Sequence, residues 1–317
     1  MSVLTSLIPV ALVAGLVLVV VVWRAANRRL VLEVGVAEHA AIADIARHTR
    51  RWRLAGAVLG VVAAGLVAQV GDRALGQVLM LAPLALGAGA LLGVALGELT
   101  ARTPRGLTRT AVLTRRTVGG LWPSDSRSRV LVGLVLAGSV LSLGAALGSP
   151  DDLGRPGRTL ARACTQVIDG VPAVVTSTRG PWPGSYYVVP AGLALLVALV
   201  LAAVAARAAA ARQRPSSTDA ALDDQLRRWS VMSVASALDA TLRLTAGPLA
   251  LAMSVILLTS QCAGGVDRTL GWGLVLLGVL ALATGLTSLL EVFAGPRVVV
   301  DDRPRPVPPA ATQVPVR

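Results

Sequence analysis

The chain has 317 residues, 54% of them hydrophobic, with a mean hydropathy of +0.70 and a formal charge of +13. A soluble domain averages about 45–50% apolar residues. Here the excess falls in uncharged blocks of about 17–25 residues, the length that crosses a hydrocarbon core of about 30 Å. The composition therefore excludes a soluble fold. It also argues against a nucleic-acid partner, because no stacking aromatics or nucleic-acid motif accompany the arginines.

All 30 basic residues are arginine, and Asn27 and Phe293 are the sole residues of their types. That usage points to a GC-rich coding sequence. The opening run "IPVALVAGLVLVVVVWRAANRR" has no positive region before it and arginines after it, so it reads as a first transmembrane helix rather than a cleaved signal. Six further apolar blocks follow. The expected spans are residues 3–23, 54–70, 77–97, 130–148, 188–206, 244–258 and 270–290. The predicted fold is an all-α polytopic bundle of about seven membrane helices.

Arginine placement sets the orientation. With the N-terminus outside and the C-terminus inside, 24 arginines fall on inner segments and six on outer ones, the asymmetry the positive-inside rule describes. The stretch "GELTARTPRGLTRTAVLTRRTVGGLWP", from Gly97 to Pro123, is then an inner loop able to lie on anionic headgroups. A membrane or cytoplasmic protein with an acidic surface is the alternative partner.

Residues 149–187 form an extracytoplasmic loop in this topology, and residues 294–317 a proline-rich, disordered inner tail. Cys164 in that outer loop and Cys262 between the last two spans both fall on the oxidising side, where a disulfide would pin the loop to the final helix pair. No C-x-x-C motif suggests redox catalysis.

Two segments of the chain resemble each other. Spans one and five each carry a proline near the outer end and Arg-Ala-Ala at the inner end. Each leads through a basic segment ending in Arg50-Arg51-Trp52 or Arg227-Arg228-Trp229 into a helical hairpin, and the hairpins close on Glu98 and Glu291. The pattern fits a 3+1+3 parallel repeat, as in some carriers. A carboxylate at a helix C-terminus meets the negative end of the dipole. Glu98 is therefore expected to pair with Arg50, Arg51 or Arg53, and Glu291 with Arg227 or Arg228, either as interfacial ion pairs that fix the helix ends or as a cytoplasmic gate.

In "SVASALDATLRLTAGP" Asp239 and Arg243 form an i, i+4 pair opposite an apolar face of Val231, Val234, Ala235, Leu238 and Leu242. A sixth span starting at Trp229 would carry them into the bilayer as a polar path. One starting at Leu244 leaves them at the interface with the preceding helix lying on the membrane. The second costs less and is the expectation. Gly56 with Gly60, and Gly89, Gly93 and Gly97, form small-residue motifs suited to close contact between helices. Pro83 and the Gly247-Pro248 pair are candidate kinks.

His39 and His48, near Glu38 and Asp44, lack zinc-site spacing. No catalytic, phosphate-binding or dinucleotide motif stands elsewhere, so no metal, cofactor or enzymatic activity is expected. The run "GELTARTP…R…AVLTRR…LWP", with "GPWPGSYYVVP" later, resembles multi-pass membrane proteins of GC-rich, actinobacteria-like bacteria that carry no assigned activity. The resemblance implies a cytoplasmic-membrane location. Two functions fit: a non-catalytic accessory, scaffold or regulatory component, or a small-solute transporter with a polar path near Asp239 and Arg243.

Overall fold

The structure, a computed structural model, describes residues 31–70, 77–101, 118–212, 220–293 and 297–301. The expected first span and the arginine-rich residues 102–117 lie outside the described residues. In chain order the elements are β1 (Val31–Gly35), α1 (Val36–Val70), α2 (Gln77–Thr100), α3 (Val118–Leu121), α4 (Ser124–Leu147), β2 (Leu160–Ile168), β3 (Val171–Arg179), α5 (Ser185–Ala211), α6 (Ala220–Thr259), α7 (Gly265–Phe293) and β4 (Arg297–Asp301). All of these helices except α3 are long and apolar enough to cross a membrane.

Helices α1 and α2 form one antiparallel hairpin, and α6 and α7 form another. The first packs on the second through α2 against α6, while α4 and α5 close the remaining sides of α6. Helix α6 is thus the axis of the bundle. Of its most apolar window 67% is buried, against 17% for α1 at the periphery.

The surface is inverted relative to a soluble protein. Leu54, Val58, Val61, Leu66, Leu131, Val135, Val197, Val200 and Leu276 all face outward, whereas Arg53, Glu98, Arg227 and Asp239 are buried. Apolar surface on this scale is tolerated where lipid replaces water.

Small residues let the helices approach. A methyl group on Gly56 would lie 2.5 Å from the Gly93 Cα, and one on Gly93 2.5 Å from the Trp52 carbonyl oxygen. The two glycine motifs therefore mesh inside one hairpin, between α1 and α2. On α7, Gly271, Gly278 and Gly285 recur every seven residues and receive Leu258, Leu251 and Arg243 of α6, the spacing of a left-handed helix pair.

The bundle has two poles. At one, Gly184 packs on Gly157, and the fully buried Trp182 donates its indole N–H to the Gly144 carbonyl at 2.9 Å. At the other, the ends of α2, α5 and α7 and the start of α4 meet buried arginines described below.

The chain departs from its sequence reading in three places. The segment expected as a loop, 149–187, contains an antiparallel ribbon, β2–β3, with Cys164 opposite Val175. Its two-residue turn, Asp169-Gly170, has φ of 51° and 82°, the left-handed pair of a tight hairpin. Second, α6 runs unbroken for 40 residues, about 60 Å by helix rise. No separate surface helix precedes Leu244, and both faces of the Ser233–Arg243 turns are packed, because α2, α4 and α7 all converge there. Pro83 and Pro248 sit within continuous helices. Third, the tail is not unstructured from residue 294. Residues 297–301 pair in parallel with Val31–Gly35, Leu32 opposite Val298, as the run of valines in β4 favours.

Candidate functional site

Polar residues recur along α6 at every turn: Arg227, Ser230, Ser233, Ser236 and Asp239 are all buried, and Arg243 nearly so. They organise two ion-pair nodes.

The first joins α4, α6 and α7. The Asp239 Oδ1 accepts the Arg243 Nε–H at 2.7 Å, and its Oδ2 accepts the Ser288 hydroxyl at 2.7 Å. Arg243 also donates to the Thr284 hydroxyl oxygen at 2.8 Å and to the Arg129 carbonyl at 3.4 Å. Space for this comes from Gly133 on α4, where a Cβ would stand 2.8 Å from the Asp239 Oδ1. About one turn nearer the end of α7 than Ser288, Glu291 accepts hydrogen bonds from Arg129 and, at 3.1 Å, from the Ser236 hydroxyl.

Glu291 therefore pairs with Arg129, neither with Arg227 nor with Arg228. The cause is geometric. Arg227 turns towards α5, bonding Asp223 at 2.9 Å and donating to the carbonyls of Ala210 and Arg212 at the end of that helix. Arg228 is exposed. Arg227 thereby places positive charge on the negative end of α5.

The second node brings the ends of α2, α5 and α7 against the middle of α1 and the first turns of α6. Glu98, whose side chain is wholly buried, lies 3.8 Å from Arg53 of α1 and 3.6 Å from Arg212 at the end of α5. Arg53 donates to the Val292 carbonyl of α7 at 3.1 Å, and its guanidinium stacks 4.1 Å above the Trp229 ring of α6. Of the three arginines considered for Glu98, the structure brings Arg53 to it and leaves Arg50 and Arg51 exposed. Residues 50, 51 and 53 cannot share one helix face, and only Arg53 falls on the side that meets α2 and α6.

At the opposite pole Cys164 and Cys262 are disulfide-bonded across 98 residues, their Cα atoms 5.2 Å apart. Arg162 supports the junction with Asp267 at 3.1 Å, and Arg179 with the Thr259 hydroxyl at 3.3 Å. The ribbon is thus fastened to the α6–α7 connection at three points. In the approach to it, the Asp151 Oδ1 accepts the N–H groups of Leu153 and Arg155, and its Oδ2 pairs with Arg155 at 2.7 Å. Desolvation raises the Asp151 pKa, but those hydrogen bonds and the Arg155 charge outweigh it, and the carboxyl titrates below its ordinary value.

No family model matches the chain, and no curated protein or solved structure matches it. The function has to be read from the geometry.

His48 faces the Thr100 hydroxyl at 3.0 Å and Asp44 pairs with Arg47, so the Asp44–His48 turn is not assembled as a ligand pair. The side chains of Glu38 and His39 lie outside the described residues. Among the described residues no three His, Cys, Asp or Glu side chains converge as a metal site would need.

Sequence reasoning missed Arg129, Arg212, Thr284 and Ser288. The last two had a signal. Thr284, Thr287, Ser288 and Glu291 form a polar stripe at helical spacing on an otherwise apolar helix.

Proposed function

We propose that this chain is a non-catalytic membrane component, a scaffold or accessory subunit whose helix bundle holds a disulfide-anchored β-ribbon at one pole and buried ion pairs at the other. The observation that carries this reading is the saturation of the Asp239 node. Both carboxylate oxygens and three guanidinium nitrogens of the pair are committed to protein partners, which leaves a solute little to bind. Such a network locks helices together, as polar residues do between membrane helices. We further propose that the bundle sits in the cytoplasmic membrane. The ribbon and the disulfide then lie outside, and the arginine-rich residues 102–117 lie inside, facing anionic headgroups or an acidic partner.

The alternative, a small-solute transporter, is favoured by the line of buried polar residues that α6 carries from Arg227 to Arg243. The two hairpins that close on Glu98 and Glu291 support the 3+1+3 repeat on which that alternative draws.

One pair of measurements separates the readings. Cross-linking in native membranes, followed by purification, should yield a defined partner. That partner should be lost when Arg105, Arg109, Arg115 and Arg116 become glutamine, with the Cys164–Cys262 bond intact as the mark of folding. Solute flux in proteoliposomes that disappears in Asp239→Asn at unchanged protein level would instead establish the transporter.

A further inference from the structure

The Glu98 node differs from the Asp239 node in one respect. Its charges face each other without touching. The Arg53–Glu98 and Arg212–Glu98 separations, 3.8 and 3.6 Å, exceed hydrogen-bond length. The Nε and Nη2 atoms of both arginines and both oxygens of Glu98 are buried without a hydrogen-bond partner among the described residues. Six such atoms at one place are far outside what a folded interior tolerates. Of the Arg53 guanidinium nitrogens, Nη1 alone is satisfied, by the Val292 carbonyl, and buried charges left so short of hydrogen bonds are strongly disfavoured.

A bound ion does not resolve this. A cation would meet two guanidinium groups. An anion would meet the Glu98 carboxylate and the negative ends of α2, α5 and α7, which terminate at the node. Water does resolve it, since one molecule accepts from a guanidinium and donates to a carboxylate, and a polar contact just beyond 3.5 Å is where a bridging water belongs.

We propose that Arg53, Arg212 and Glu98 form a hydration site in which bound water carries both ion pairs. The middle of α1 and the ends of α2 and α5 are then coupled through water, whereas α4, α6 and α7 are coupled directly at Asp239.

Trp229, against the Arg53 guanidinium, reports on it. In X-ray hydroxyl-radical footprinting of the full chain in detergent, bound water oxidises side chains beside it even when they are shielded from bulk. Trp229 should be modified at several times the rate of Trp182, which is also buried but bonded directly to Gly144. In the double variant Glu98→Met, Arg212→Met, Trp229 should fall to the Trp182 rate. Equal rates in the unaltered protein overturn the proposal, as does undiminished Trp229 oxidation in the double variant, which would mean that solvent arrives by another route. If the double variant does not fold, a map at about 2 Å resolution decides between density bridging Arg53 and Glu98 and direct contact of the two.

Discussion

Asp239 shows why a charge survives inside an apolar bundle. Its carboxylate is 1% exposed as a residue and is held by Arg243 and Ser288. Removing one partner of a buried pair strands the other, at a cost of about 3–5 kcal/mol, whereas replacing both by apolar side chains is close to neutral. Asp239→Leu is therefore expected to lower the unfolding free energy by about that much, and Asp239→Leu with Arg243→Leu to recover most of it, as read by denaturant unfolding in detergent. An equal loss in single and double variants would show that the pair contributes more than mutual neutralisation. Asp151 gives a pH dependence of opposite location. Its folded pKa is depressed, so its contribution to the ribbon's anchoring is present at neutral pH. It fades only as pH falls through the folded value, below the ordinary aspartate range near 3.9. Backbone exchange in Leu153–Arg155 should rise in that acid window and not between pH 5 and 8. Asp151→Asn should remove the dependence.

Elements obey the same reasoning at larger size. The α1–α2 hairpin closes only because Gly56, Gly60, Gly89 and Gly93 bring two backbones into contact. A leucine at Gly93 would meet the Trp52 carbonyl and Gly56 rather than a movable side chain. Gly93→Leu should cost at least the 1–3 kcal/mol typical of overpacking. The same substitution at Gly138, where a Cβ meets nothing within 4 Å, should leave the thermal midpoint unchanged. These glycine motifs were legible because spacing alone exposes them. The ribbon was legible too, though it passed as loop. "TQVIDGVPAV" places Asp-Gly between two β-branched runs, a strong hairpin signal overshadowed by the glycines and prolines around it. The continuity of α6 was not legible. A polar half and an apolar half read as two helices when the neighbours are unknown, and it is the burial of the polar half by α2, α4 and α7 that makes them one. Glu98 and Asp239 stood out as carboxylates among apolar residues. Asp239 finds Arg243 one turn along its own helix, as local spacing indicates. Which arginine Glu98 and Glu291 would find depended on helix rotations that the sequence does not encode locally.

At the scale of the molecule, the six long helices among the described residues alternate in direction and return the chain to the pole at which they began. Helix α1 starts, and α7 ends, on the side of Glu98, while the ribbon and the Cys164–Cys262 bond occupy the other side. If the apolar run at residues 3–23 also crosses, the N-terminus lies with the ribbon and the two chain ends are on opposite faces of the membrane. The arginine split of 24 to 6 is the basis for the orientation proposed above, since moving the basic segments outward would cost far more than moving the ribbon, whose outward-facing Ala163, Thr165, Val167, Val174 and Thr176 are uncharged. Single cysteines introduced into a Cys164→Ser, Cys262→Ser background test each part separately. An impermeant maleimide on intact cells should label Val167→Cys and Ser2→Cys and should reach Arg105→Cys only after permeabilisation. Labelling at 167 but not at 2 would keep the orientation of the six helices and remove the seventh crossing. Labelling at 105 alone would reverse the bundle, because an arginine-rich segment on the outer face leaves the disulfide pole in the reducing interior.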